Sequence, residues 1–166
     1  MLHVTRSALK ISLAAIIFPA VILFILYGAS LGPGVFAPPD NSPALPFVQI
    51  GETKILVEVA TSSAAIQKGL SGKESLAEDQ GMLFIFSQPD FYRFWMPDMH
   101  FSIDIIWIDE EKVVGIEKRI LPEFNPENPR FYTPPKPVRF VLEVNGGFTE
   151  KRIIRVGDKV VFRYIQ

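Results

Sequence analysis

Two acids stand where the surrounding pattern calls for apolar residues. In the segment 102–109 (SIDIIWID), Ile103, Ile105 and Trp107 share one face of an extended chain, and Asp104, Ile106 and Ile108 share the other. Apolar residues on both faces predict a strand covered on both sides. A carboxylate there is costly unless it is paired or hydrogen-bonded. In 138–145 (VRFVLEVN), Phe140, Leu142 and Val144 share one face, while Arg139, Val141, Glu143 and Asn145 share the other. If Asp104 and Glu143 meet from adjacent strands, their pKa values split and they can act as acid and base. Glycoside hydrolysis would then ask for carboxyls about 5–5.5 Å apart for retention or about 6.5–9.5 Å apart for inversion. If they do not meet, Asp104 is expected to accept backbone N–H bonds and Glu143 to pair with Arg139 along its own strand.

The run Phe94-Trp95-Met96-Pro97-Asp98-Met99-His100 offers a second chemistry. Aromatic residues beside polar ones suit a binding cleft, with Trp95 stacking on a sugar or a peptide side chain. The plainer reading puts Phe94, Trp95 and Met96 in the core. Asp98 and His100 are two residues apart and fall on one side of an extended chain. Two ligands alone are a weak metal site, so no metal is expected and these two are the only candidates. His3 lies at the N-terminus, so any histidine-dependent mechanism in the domain must use His100.

The elements that must position these residues follow from composition and pattern. The chain has 166 residues, 17 Lys and Arg against 18 Asp and Glu, and no cysteine. That length allows one ordinary domain. The charge balance disfavours nucleic acid, whose binding needs clustered Lys and Arg. The absence of cysteine excludes disulfides, thiolate metal sites and a cysteine nucleophile. No GxSxG, HExxH, phosphate-binding or dinucleotide fingerprint is present, and no cofactor is expected.

Residues 11–27 (ISLAAIIFPAVILFILY) are uncharged and follow Arg6 and Lys10. Extended to Leu31, the run has the length of a membrane span, roughly 17–25 residues. It predicts an N-terminal transmembrane signal anchor over 1–31, with a cleaved signal peptide as the alternative. Either places the rest of the chain outside the cytoplasm. Residues 32–46 are rich in Pro and Gly and read as a linker. The folded domain is expected over 47–166.

Alternation predicts a strand at 54–60, and apolar, aromatic or β-branched runs bounded by turn residues predict strands at 81–87, 91–96, 102–109, 112–121, 138–145 and 159–165. One helix is expected over 63–70, capped by Thr61 or Ser62, and a further helical turn within 146–152. Residues 121–137 read as a long proline-rich loop. The expected class is mainly β, with α+β at the margin: a small antiparallel barrel or sandwich with one or two short helices.

Six blocks carry a resemblance. They are Gln67-Lys68-Gly69-Leu70, Gly81-Met82-Leu83-Phe84, Phe94-Trp95-Met96, Ile103 to Asp109, Val141-Leu142-Glu143-Val144-Asn145-Gly146-Gly147, and Val156-Gly157-Asp158. Together they resemble the domain-of-unknown-function family 192 over nearly the whole domain. The resemblance implies a prokaryotic protein, a signal or anchor, and a small mainly-β domain, and it brings no activity with it. The family pattern after Trp-Met is Lys-Asn-Thr, where this chain has Pro97-Asp98-Met99. Asp98 keeps the acceptor of an Asn side chain and loses its donor.

The reading that results is an anchored extracytoplasmic binding or accessory module of the cell envelope. Its cleft is expected to hold Phe94, Trp95, Asp98, Asp104, Glu143 and Asn145, with loop 121–137 beside it. This requires Trp95 and Asp104 on the same side of the fold. The expected partners are the membrane and an envelope glycan or protein. The rivals are a glycosidase-like hydrolase using Asp104 and Glu143, and a purely structural interaction domain. The residues favour a binding module over an enzyme.

Overall fold

Why these residues form these strands is clearest at the centre of the sheet. The computed structural model describes residues 45–163. The expected anchor, nearly all of the expected linker and residues 164–166 lie outside that range. Among the described residues no helix is long and apolar enough to cross a membrane. Strand β1 is Phe47–Ile50 and β2 is Thr53–Ala60; helix α1 is Ser63–Lys68. Then come β3 (Gln80–Asp90), β4 (Ile103–Asp109), β5 (Lys112–Ile120) and β6 (Val138–Asn145). Helix α2 (Phe148–Lys151) and β7 (Val160–Arg163) complete the order.

The strands form one seven-stranded sheet in the order β5-β4-β6-β3-β2-β1-β7. It is a curled half-barrel, where the periodicity predicted a barrel or a two-sheet sandwich. Its two edges meet at one end: Lys112 bridges Lys159, and the Val113 N–H donates to the Asp158 carbonyl at 3.0 Å. The sheet is also not wholly antiparallel, because β2 and β3 run parallel. A parallel pair needs a crossover of a dozen or more residues. Residues 61–79, with α1 inside them, supply it.

The curl separates two cores. One face gathers apolar residues from all seven strands, among them Val48, Ile55, Leu83, Ile106, Leu142, Val144 and Val160, with Phe148 and Ile154 from α2 and beyond. The other face, over β3, β4 and β6, carries Phe84, Ile105, Trp107 and Val141 and is covered by Leu70, Phe94 and Met96. Strand β4 therefore reads buried at six consecutive positions from Ile103 to Ile108, as its doubly apolar pattern predicts. Trp107 pays one polar penalty in this packing: its Nε1 is enclosed without a partner.

Two expectations change. Residues 91–96 do not form a strand; only Phe94 bridges Tyr132. Pro89 and Pro97 bracket the segment, and proline removes a ladder donor. Strand β1, four residues after Pro46, was too short for its period to register. The helix expectation holds in its cap: the Ser62 hydroxyl accepts the Ala65 N–H. Gly69 ends α1 at φ 51° and ψ −136°, a region that suits only glycine.

Candidate functional site

Register decides the fate of the two acids. Asp104 lies opposite Val144, and Glu143 lies opposite Ile105. Directly opposed residues share a face, so adjacent offsets fall on opposite faces. Asp104 points into the core enclosed by the curl, and Glu143 points to the outer face. The acid–base pair that the rival hydrolase reading requires is not formed. Trp95 sits with Glu143, so the six-residue cleft expected from the sequence is also not formed.

Asp104 is fully buried and saturated with donors. Its Oδ1 accepts the N–H groups of Arg119 and Gly147, each at 2.8 Å. Its Oδ2 accepts the Thr149 N–H at 2.9 Å and the Thr149 hydroxyl at 2.6 Å. Arg119 occupies a bulge in β5 with φ 49°, which frees its N–H from the ladder. Gly147 precedes α2 and offers no side-chain cap. Asp104 replaces that cap from a neighbouring strand. It is a rivet between β4, the β5 bulge and α2.

Asn145 is a second tie. Its Nδ2 donates to the Leu76 and Ala77 carbonyls, each at 3.0 Å, and so fastens the crossover loop. Asp98 is exposed, with φ 51°, and its carbonyl accepts the Gly72 N–H at 2.8 Å. His100 places Nε2 3.5 Å from the Asp98 carboxylate and Nδ1 3.2 Å from that of Glu74. The two acids sit against opposite ring nitrogens and do not converge on one point. Among the described residues no group of three His, Asp or Glu is arranged to hold a metal. The Glu74 and Asp98 hydrogen bonds and charges hold the His100 pKa above its usual value, with Glu74 the larger influence.

Glu143 is different. It is 5% exposed, and among the described residues no group donates to its carboxyl. Arg139, the expected partner on its own strand, turns instead to the Phe86 carbonyl at 3.3 Å. Burial alone pushes the Glu143 pKa up to about 8, so near neutral pH the acid keeps its proton. It faces a cleft of about 180 Å³ whose walls include Leu70, Phe84, Phe94, Trp95 and Met99. The end of α1 forms one side: a Cβ on Gly69 would stand 4.0 Å from Glu143 Oε2 and 3.4 Å from the Phe84 ring.

The 91–99 segment forms the other side of the cleft. Phe94 points inward, edge-on to Phe84 at 5.0 Å and to Trp107 at 5.5 Å between ring centroids. Trp95 points outward and is 43% exposed. Its ring stacks on Phe131 at 5.8 Å and meets Phe124 edge-on at 5.5 Å. Loop 121–137 therefore holds Trp95 at the mouth. Arg93 lies over Phe131 at 3.8 Å. The Ser71 hydroxyl donates to the Pro97 carbonyl at 2.8 Å and joins the two sides.

Of the six expected site residues, the structure brings Phe94, Trp95 and Glu143 together. Asp104, Asp98 and Asn145 lie outside the cleft. Leu70, Phe84, Arg93 and Met99 complete it and were not singled out as site residues. Leu70 and Phe84 belong to the Gln-Lys-Gly-Leu and Gly-Met-Leu-Phe blocks, the one signal that pointed to them.

Residues 47–162 match the family DUF192, described as "Uncharacterized ACR, COG1430". A solved structure from Novosphingobium aromaticivorans DSM 12444, a protein of unknown function, is 30% identical. The match covers 69% of this chain and 83% of that one, with a TM-score of 0.63. A second, a "putative transcription regulator" from Sinorhizobium meliloti 1021, is 24% identical over 73% of this chain and 95% of that one, with a TM-score of 0.65. No curated protein matches the chain. With most of its length under the family match, and the Trp-Met, Leu-Glu-Val-Asn and Gly-Asp blocks on the strands and turns that build this fold, the chain belongs to the DUF192 family.

Proposed function

We propose that the domain is a binding or accessory module of the cell envelope, held at the membrane by residues 1–31, which receives its ligand in the Glu143 cleft. One observation carries the reading. Glu143 is almost wholly buried and has no hydrogen-bond partner among the described residues, while Asp104 and Thr149 bond to each other. A buried, unpaired acid opening into a cleft is a functional candidate.

The two-carboxylate hydrolase loses its support, since Asp104 and Glu143 occupy opposite faces. The structural reading keeps Asp104 and Asn145 and does not account for Glu143. A regulator role is not transferred from the Sinorhizobium meliloti neighbour: 24% identity speaks for the fold alone, and beyond Lys10 the chain has more acidic than basic residues.

Two experiments test the proposal. A fragment screen on the full chain, read by the fluorescence and NMR signals of Trp95, is expected to find compounds whose binding Glu143→Gln weakens at least tenfold. A screen without any Glu143-dependent compound would sink the binding reading. A reporter enzyme active only outside the cytoplasm, fused after Gln166, is expected to be active; an inactive reporter with normal expression rejects the envelope location.

A further inference from the structure

The cleft reading leaves open what enters. A carboxylate can only accept hydrogen bonds, and a neutral carboxyl has one proton to give. Among the described residues neither a donor nor an acceptor reaches the Glu143 carboxyl, so a ligand can supply its partner, and a cationic donor would pair with the ionised form. The walls beside it are the rings of Phe84 and Phe94 with Leu70 and Met99. Aromatic faces attract cations, most strongly where water is excluded. They favour an ammonium group over a second anion.

Size narrows the choice. An apolar cavity of about 150 Å³ holds one benzene ring. At about 180 Å³ the cleft has room for roughly seven heavy atoms on that scale. That suffices for the alkylammonium part of an unbranched chain whose outer end stays at the mouth. The mouth adds a charge argument. Lys68 and Arg93 both line the cleft and are exposed. Among the described residues neither forms an ion pair with a carboxylate. Two cations at the entrance disfavour a simple amine and attract a chain whose outer end is negative.

We propose that the Glu143 cleft takes an unbranched aliphatic chain with an ammonium group at its inner end and a carboxylate at its outer end. This is the chemistry of a free ω-amino acid or of a peptide ending in lysine. It rests on the cleft reading above. On binding, the ammonium meets the Glu143 carboxylate, the proton of the free acid leaves to solvent, and the outer carboxylate lies between Lys68 and Arg93. The titratable groups that face the cleft are Lys68 from α1, Tyr92 and Arg93 from the segment after β3, and Glu143 from β6. The burial that raises the Tyr92 pKa keeps that phenol neutral, so Glu143, with a pKa of about 8, is the cleft group that titrates above neutral pH.

The test is calorimetry on the full chain with 6-aminohexanoate, pentylamine, hexanoate and a short peptide ending in lysine. At pH 7, 6-aminohexanoate is expected to bind at least tenfold more tightly than pentylamine or hexanoate. Titration in two buffers of different ionisation enthalpy should show nearly one proton released, falling to none above pH 9. Glu143→Gln should lose at least tenfold in affinity with its thermal transition retained. Lys68→Gln should weaken 6-aminohexanoate and leave pentylamine unchanged. Hexanoate binding as well as 6-aminohexanoate, or Glu143→Gln binding undiminished, overturns the proposal. If neutral fragments bind through Glu143 while the amines do not, the cleft stands and the ligand class falls. If nothing binds through Glu143, both fall. A peptide tighter than 6-aminohexanoate assigns the source to a protein terminus, and the reverse order assigns it to a free small molecule.

Discussion

Asp104 and Glu143 sit on neighbouring strands, one residue out of step, and both are buried. Asp104 receives four hydrogen bonds; Glu143 receives none from the described residues. The first faces the core enclosed by the curl, where a bulge and a helix start each leave backbone donors to be satisfied. The second faces a cleft lined by Leu70, Phe84, Phe94 and Met99, with Lys68 and Arg93 also in its walls. The same residue type thus holds the fold together on one side of the sheet and forms a vacant polar point on the other. A buried acid is scaffold when the backbone supplies its donors, and a candidate site when nothing does.

The sharpest way to break this contrast is to remove each acid. Asp104→Ala leaves three backbone N–H groups and the Thr149 hydroxyl without their acceptor. It is expected to cost about 3–5 kcal/mol, the scale of breaking a buried charged network. Urea unfolding at neutral pH measures it. A loss below about 1 kcal/mol would remove Asp104 from its role as a rivet.

Glu143→Gln should behave in the opposite sense. The folded pKa of about 8 lies above the ordinary carboxyl value of 4.5. Between those values the folded state holds a proton that the unfolded state has released. Stability from this group is therefore complete below pH 4.5 and lost as pH rises through 8. The Gln variant is expected to match the native chain at pH 4 and to exceed it by a few kcal/mol at pH 9. Paired denaturation curves at those two pH values decide it, and a variant less stable at both would mean that Glu143 has an undetected structural partner.

Asn145→Ala loses one half-buried and one exposed hydrogen bond to the crossover loop. A cost of about 1–2 kcal/mol is expected, with faster hydrogen exchange around Leu76 and Ala77. Exchange unchanged in that loop would show that the tie is redundant. The smallest effect concerns His100, an exposed group whose raised pKa reflects Glu74 and Asp98. Its contribution is present below pH 6.5 and lost as pH rises through the folded pKa. An NMR titration should find the imidazole pKa above 6.5 in the native chain and closer to it after Glu74→Gln; an unchanged value denies the pairing.

Much of the fold was legible because alternation is local. Strands β2, β4, β5 and β6 were readable from side chains two residues apart, and the Ser62 cap from one hydroxyl before an apolar turn. Residues 91–96 misled because alternating burial of Phe94 and Met96 with exposure of Trp95 looks like a strand, while the flanking prolines and the lack of a ladder partner prevent one. At the site, Phe94, Trp95 and Glu143 could be picked as misfits. Leu70 and Met99 could not, since an apolar residue lining a cleft has the same local pattern as one in a core.

The sequence by itself determined which face of its own strand each side chain takes, that Asp104 would be buried, and that the domain would be mainly β. Those properties depend on neighbours within a few residues. Only the tertiary structure decided that Asp104 opposes Val144, and so which acid meets donors and which meets a cleft. Register between β4 and β6 is set by pairing across more than thirty residues of chain. A shift of one residue would exchange the faces, and no local pattern records it.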